Sequence, residues 1–314
     1  MRDILHLAYT NAASEKEEKD VKTQLVKRLL AACSIAALAI GIAACGGDDS
    51  PSSTAGTSNA ATTTRLGATP GVLKFGMNPG YPPWDEYVGN SFAGADYDIG
   101  QEIAKRLNLK PVWTQIDFGA LITSLKTKRI DVILSGMSDT KERQEVVDFV
   151  DYYNTPWGFM VPKGNPKGLK SLADLCGIRA SAETGTAGVG FLQTQNKKCK
   201  ASGKPIQIST FDKVPAIQQA IRSGRTDVDL ENYDALSYAA RKLGGGEVFE
   251  AVPLSDLPTS PYGIGIAKGN DPLLQAVRKA FQAMIDDGTY NKILEKNGIT
   301  AGGVKSAVIN GATS

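Results

Sequence analysis

Two periodicities alternate along the chain from residue 72 onward. Val72–Met77 is a compact apolar run that reads as a strand, and Asp98–Leu107 puts Ile99, Ile103 and Leu107 on one helical face, with Asp96 or Asp98 as its cap. Pro111–Gln115 then reads as strand, Ala120–Leu125 as helix and Asp131–Ser135 as strand. After a second set of such units, Tyr262–Ala267 is strand-like. Leu273–Ile285 holds Leu273, Leu274, Val277, Phe281, Met284 and Ile285 at helical spacing, an amphipathic helix. Strands alternating with short helices predict βαβ units and largely parallel sheets.

A weak internal echo points to two lobes. Residues 120–134 (ALITSLKTKRIDVIL) and 216–231 (AIQQAIRSGRTDVDLE) both run apolar helix, basic turn, Arg-x-Asp-Val, strand. Each describes a helix packed on the strand that follows it. Breakers set the boundaries: Gly164, Asn165, Pro166 and Gly168, then Pro253, Pro258 and Pro261. The predicted first lobe spans 71–161 plus 259–300, the inserted second lobe 164–252, and 301–314 form a tail. The fold class is α/β, two Rossmann-like lobes joined by a two-crossing hinge. Such a hinge places a cleft at the strand ends.

The front of the chain reads as a targeting device. Lys27 and Arg28 precede an apolar run from Leu29 to Ala44 that ends Ile42-Ala43-Ala44-Cys45-Gly46. Charge, short apolar core and small residues are the order of a secretory signal, and the run is short for a spanning helix. The ending resembles a bacterial lipobox, in which Cys45 is lipidated and becomes the new N-terminus, so 1–45 is read as signal peptide. Leu30-Ala31-Ala32-Cys33 has the same local pattern but leaves almost no apolar core before it. Residues 1–20 are polar and acidic for an n-region, which points to translation from Val21 or Val26. Residues 46–70, rich in Ser, Thr, Gly and Ala, are expected to be a disordered tether.

Composition narrows the chemistry. The chain has 314 residues, 42% apolar and 22% charged, enough for two ordinary domains. A net charge of +2 and 7% aromatics give no footprint for nucleic acid. The one histidine, His6, lies in the segment expected to be removed, which argues against Ser-His-Asp or Cys-His catalysis and against a His-ligated metal. No cofactor is expected. Cys176 and Cys199 are the two cysteines of the globular part, and an even pair in an exported chain suggests a disulfide. Its loop of about 24 residues is worth about 3 kcal/mol on the chain-entropy view.

Candidate ligand chemistry sits where strands end. After Ser135, Gly136 lets backbone approach a ligand, and Ser138, Asp139 and Thr140 suit the N-cap of a short helix. Arg143 then falls in the first turn, where the helix dipole disfavours a cation by about 0.3–1 kcal/mol. A bound anion is one reason to keep it there; a solvent-exposed arginine is the plainer one. In the second lobe, Thr184-Gly185-Thr186-Ala187-Gly188 turns from the strand at Ala180–Ala182 into a helix, a second set of exposed amides. The aromatic trio Tyr152, Tyr153 and Trp157 either rims the cleft or packs under the hinge.

Taken together, Gly76-x-x-x-x-Tyr81-Pro-Pro-Trp84, Gly94-x-Asp96-x-Asp98, Gly136-Met-Ser-x-Thr-x-x-Arg143, Val147-Asp-Phe149, Gly185-Thr186, Gly224-Arg-x-Asp227 and Asp287-Gly-Thr-Tyr290 resemble the bacterial extracellular solute-binding proteins for polar amino acids, family 3, of periplasmic-binding-protein type II fold. The resemblance covers nearly all of residues 71–297. It implies that Arg143 pairs with a ligand α-carboxylate, helped by Gly136, Ser138 and the Thr186–Ala187 amides, and that Tyr81 and Phe118 sandwich the ligand side chain. It also marks two departures. Asn78 and Asn232 stand where relatives commonly carry Asp, the first toward basic or amide side chains and the second toward the α-ammonium. These asparagines argue against a strongly cationic ligand. Glu231 beside Asn232 points to the opposite face of a strand unless a bulge re-aims it. The candidate ligand residues are therefore Asn78, Tyr81, Phe118, Ser135, Gly136, Ser138, Arg143, Thr186, Ala187 and Asn232.

The resemblance implies a monomeric, exported lipoprotein, held to the membrane's outer face through Cys45. It captures an amino acid or related small carboxylate by hinge closure and delivers it to the membrane subunits of an ABC transporter. Two rivals share the fold. One is a dehydratase acting on prephenate or arogenate, with Glu183 or Glu231 as the acid. The other is a receptor lobe reporting ligand state to a separate membrane sensor.

Overall fold

The computed structural model describes residues 66–312. The expected signal segment, Cys45 and the tether up to residue 65 lie outside the described residues.

The chain first lays down β1 (Val72–Met77), the hairpin β2 (Glu86–Val88) and β3 (Ser91–Ala93), α1 (Ala95–Arg106), β4 (Lys110–Gln115), α2 (Leu121–Lys126), β5 (Val132–Ile133), α3 (Lys141–Gln144) and β6 (Val147–Thr155). It then crosses into β7 (Trp157–Pro162), β8 (Arg179–Glu183), α4 (Ala187–Ala201), β9 (Gln207–Phe211), α5 (Val214–Arg222), β10 (Val228–Asn232), α6 (Tyr233–Lys242) and β11 (Phe249–Pro253). It returns through β12 (Ser260–Ala267), α7 (Asp271–Asp286), α8 (Thr289–Asn297) and β13 (Gly303–Ile309).

Two sheets result. One orders its strands β13-β6-β12-β5-β1-β4, the other β11-β7-β10-β8-β9. The expected faces do the packing. Ile99 and Ile103 of α1 and Leu273, Val277, Phe281 and Met284 of α7 join Phe75, Val132 and Ile264 in one core. Each such side chain contributes about 1.5–3 kcal/mol of transfer free energy before chain entropy is charged. In the second lobe β7 alternates: Trp157, Phe159 and Val161 enter a core with Leu192 of α4, while Met160 meets Ile217, Ile221 and Leu236 of α5 and α6. Helices on both faces explain why this strand is apolar throughout.

Two boundaries differ from the sequence reading. The first crossing lies at Pro156, because Trp157–Pro162 pairs with β10 and β11 in the second sheet. The apolar run had merged two strands, and Pro156 was the breaker between them. Residues 303–309 are β13, paired with β6, so half of the expected tail belongs to the first sheet.

The sequence echo corresponds to one scaffold used twice. β5 lies between antiparallel β12 and parallel β1, with β4 beyond; β10 lies between antiparallel β7 and parallel β8, with β9 beyond. Asp131 and Asp227, the aspartates of the two Arg-x-Asp-Val segments, do the same task. Asp131 accepts from the Lys74 amide at 3.0 Å and Asp227 from the Arg179 amide at 3.1 Å. Each donates its own amide back to the same residue's carbonyl at 2.8 Å.

In the second lobe Cys176 and Cys199 are bonded, with S–S 2.01 Å and Cα–Cα 5.1 Å. The bridge ties the segment before β8 to the last turns of α4. Among the described residues no helix is long and apolar enough to cross a membrane, and no cluster of His, Cys, Asp or Glu forms a metal site.

Candidate functional site

The carboxyl ends of β1, β5, β8 and β10 converge on one narrow gap between the two sheets, with a free interior volume of about 10 Å³. All ten sequence-predicted residues line it: Asn78, Tyr81, Phe118, Ser135, Gly136, Ser138, Arg143, Thr186, Ala187 and Asn232. Four more do so that the candidate set omitted: Asp85, Trp157, Glu183 and Glu231.

Arg143 is 9% exposed, not a surface arginine. Thr140 caps the short helix α3 through its hydroxyl, which accepts from the Arg143 amide at 3.2 Å. The guanidinium donates to the Ser138 carbonyl at 2.6 Å and, across the gap, to the Gly185 carbonyl at 2.9 Å. Its carbon lies 5.5 Å from the centre of the Phe118 ring. Burial lowers its pKa to about 10, which leaves it cationic at neutral pH. Two of five guanidinium N–H groups are thus engaged by carbonyls, and three remain for an anion.

Glycine is required on both walls. Gly136 has φ +53°, and a Cβ there lies 3.0 Å from the Tyr81 ring. Gly185 has φ +83°, and a Cβ there lies 2.7 Å from the Gly119 Cα of the facing lobe. Asp96, expected as a helix cap, has another job: it accepts from the Gly136 amide at 2.6 Å and the Tyr152 hydroxyl at 2.7 Å, so it pins the Gly136 turn from behind. Tyr152 and Tyr153 pack with Trp84 and Tyr262 inside the first lobe. Trp157 lines the gap and meets Phe191 edge-on.

The gap is rich in acid. Glu183 at the end of β8 is 4% exposed and Glu231 on β10 is 5% exposed. Glu231 therefore does not lie on the lobe surface, and no bulge is needed to bring it in. It sits so near the end of β10 that its side chain folds over to accept from the Asn232 amide at 2.8 Å and the Tyr81 hydroxyl at 3.3 Å. Burial raises its pKa to about 7, against the pull of the Asn232 amide, the Tyr81 hydroxyl and Arg143. Glu183 accepts from the Asn78 side-chain amide at 2.7 Å. Burial and the nearby Glu231 carboxylate push its pKa up to about 8. Asp85 accepts from the Ser135 hydroxyl at 2.6 Å, and Ser135 in turn accepts from the Asn78 backbone amide at 2.9 Å. Burial, with Asp96 close by, lifts the Asp85 pKa well above the usual carboxylate range. Ser135 thus acts as a relay between Asn78 and Asp85.

The chain matches the model of the bacterial extracellular solute-binding proteins, family 3, over residues 73–299. It belongs to that family. The lysine/arginine/ornithine-binding periplasmic protein of Escherichia coli (strain K12) is 30% identical over 240 residues, covering 73% of this chain and 88% of that protein. The L-arginine-binding protein of Pseudomonas aeruginosa is 29% identical over 240 residues, covering 71% and 86%. Among solved structures, an ancestral arginine-binding protein bound to arginine superposes with a TM-score of 0.66 at 32% identity, covering 72% of this chain and 98% of that one. An ancestral amino acid-binding precursor of cyclohexadienyl dehydratase gives 0.64 at 28% identity, covering 72% and 95%. The fold is thus the type II periplasmic-binding-protein fold, and this family 3 chain places its gap at the carboxyl ends of parallel strands of both sheets.

Proposed function

We propose that this family 3 protein binds an α-amino acid between its lobes, performs no chemistry on it, and hands it to the membrane subunits of an ABC importer. It would do so as a monomer held at the outer face of the membrane by lipid on Cys45. The observation that carries the ligand reading is the pairing of opposite charges in one buried gap. Arg143, with the Ser138 and Thr186–Ala187 segments beside it, suits an α-carboxylate. Glu231 faces the same space near enough to Arg143 to feel its charge, and suits the α-ammonium. It supplies the negative charge that Asn232 lacks. Tyr81 and Phe118 offer flat walls for the side chain between them.

Closure follows from the same groups. Three bonds already cross the gap: Arg143 to the Gly185 carbonyl, Asn78 to Glu183 and Tyr81 to Glu231. A ligand that touches both walls adds charge-assisted contacts made only when both lobes are in place, and so favours the closed state. Glu183 and Glu231 are the acids a dehydratase reading relies on, but both lie beside groups that a zwitterion satisfies without any bond being broken.

Isothermal titration of the purified protein against the common amino acids tests the reading. At least one is expected to bind, and Arg143→Ala is expected to weaken that binding by about 100-fold or more, with an unchanged far-UV spectrum. Equal affinity in the folded variant removes Arg143 from the site. Conversion of arogenate to phenylalanine on incubation restores the enzyme reading.

A further inference from the structure

Part of the gap gathers hydrogen-bond acceptors around Asn78. Asn78 follows β1 and donates one side-chain N–H to Glu183, 2.7 Å away. Its own Oδ1 is buried without a partner, as is Oδ1 of Asp85. Glu183 lies with them, and all three residues line the gap. Asn78 is 5% exposed, Asp85 0% and Glu183 4%, so water does not answer these atoms from outside. Two buried acceptor oxygens without a partner are unfavourable as they stand. They are complementary to one kind of partner, a cation with several N–H bonds.

We infer that Glu183 sets the side-chain specificity of this protein: its ligand is an α-amino acid with a cationic side chain, whose distal charge is held by the Glu183 carboxylate with Asn78 Oδ1 and Asp85 Oδ1 beside it. The inference rests on the amino-acid reading above and deepens it. It also reverses the expectation from Asn78. The charge missing from the first lobe is present on the second, at the end of β8, where it touches the asparagine that replaced it.

Charge balance points the same way. The acids lining the gap are Asp85, Glu183 and Glu231, and Arg143 is the lone cationic residue lining it. A ligand with one carboxylate and two cationic groups gives each of Arg143, Glu231 and Glu183 an opposite charge when it is ionised, which a neutral-side-chain amino acid does not. Lys213 does not fill the role. It draws the Glu183 pKa down from nearby, but it pairs with Asp117 at 3.8 Å and both side chains are exposed. Burial and Glu231 hold Glu183 near the point of protonation, so an arriving cation ionises it and a proton leaves to solvent.

The test compares L-arginine with L-citrulline, which keeps the shape and removes the charge, on the wild-type chain and on Glu183→Gln. Glutamine still accepts from Asn78, so the variant preserves the contact that bridges the gap. Wild type is expected to bind arginine about 10- to 100-fold more tightly than citrulline. In Glu183→Gln that preference is expected to vanish through loss of arginine affinity. A variant that keeps the full preference for arginine overturns the inference. So does a wild type that takes citrulline or glutamine as tightly as arginine, which leaves the amino-acid reading standing. Silence toward every α-amino acid overturns that reading, and the inference with it.

Discussion

The two lobes carry the same β-strand scaffold but end it differently. Counting four positions past Lys74 and Arg179, the paired anchors of β1 and β8, gives Asn78 in one lobe and Glu183 in the other. Counting four past Asp131 and Asp227 gives Ser135 and Glu231. At both equivalent places the first lobe offers a neutral side chain and the second an acid. The first lobe adds the one cation, Arg143, on a turn that has no counterpart at the end of β10, where α6 begins at once. A repeated scaffold thus makes an electrically polarised gap. The part that is repeated fixes geometry; the part that is not repeated gives the site its direction, cationic on lobe one and acidic on lobe two.

These unlike ends face each other across the gap, and at Gly185 the backbone of one lobe runs close to that of the other. Replacing Gly185 by alanine breaks the comparison most sharply. The new Cβ meets the Gly119 Cα at 2.7 Å, and backbone on both sides cannot yield easily. Gly203→Ala is the control, since its φ is also positive (+73°) and nothing lies within 4 Å. Both variants should lose about 1 kcal/mol or more of stability from the left-handed backbone. Gly185→Ala alone should also lose about tenfold or more in ligand affinity, and small-angle scattering should show that saturating ligand no longer compacts it. Equal binding by the two variants would show that the lobes need not approach this closely.

Proton linkage separates the acidic lobe from the neutral one. Glu183 and Glu231 have pKa values raised to about 8 and about 7, above the ordinary glutamate value. The groups near them are Asn78, Tyr81, Tyr262, Arg143, the Asn232 amide, Asp85, the buried Asp229, and Lys213 with Asp117. A raised carboxyl pKa favours the folded state below the unfolded value and loses that contribution as pH rises through the folded value. The free protein should therefore lose thermal stability between about pH 5 and pH 8. Binding runs the other way. Affinity for arginine should climb from pH 6 to about pH 8, by at most tenfold per unit for each proton released, and then level off. A flat profile, measured by calorimetry in buffers of different ionisation enthalpy, would mean that neither glutamate changes charge on binding.

The scaffold was more legible than the charge. Spacing alone marked the faces of α1 and α7, and the Arg-x-Asp-Val echo marked the strands that share a place in the two sheets. Every candidate ligand residue lines the gap, because the motifs that carry the family resemblance fall at strand ends. Glu231 escaped through an argument sound in mid-strand. Alternation sends it away from Asn232, but at the end of β10 the strand stops and both faces overlook the gap. Glu183 was legible as an acid at a strand end, and what hid its bearing on the ligand was the distance in sequence, 105 residues, to its partner Asn78. The crossing at Pro156 was missed because Val147–Thr155 and Trp157–Pro162 are both buried strands, and buried strands read alike whichever sheet they join.

The smallest effect tests whether the repeated aspartates do equal work. Asp131 spends both oxygens on backbone, accepting from the Ala68 amide at 2.8 Å and the Lys74 amide at 3.0 Å. Asp227 spends one on the Arg179 amide and shares the rest of its charge with the Arg179 guanidinium, whose side chain is 42% exposed. Burial pushes the Asp227 pKa up, yet the Arg179 contacts outweigh it and the group ends below its ordinary value. Asparagine keeps one acceptor oxygen at either place. Asp131→Asn therefore removes one charge-assisted backbone bond in a half-buried setting and should cost about 1–2 kcal/mol. Asp227→Asn mainly weakens a solvent-screened pair and should cost about 0.5 kcal/mol. Urea unfolding of the two variants decides the order. If Asp227→Asn proves the more damaging, the anchoring of β8 depends on Arg179 rather than on the backbone contact that the two lobes share.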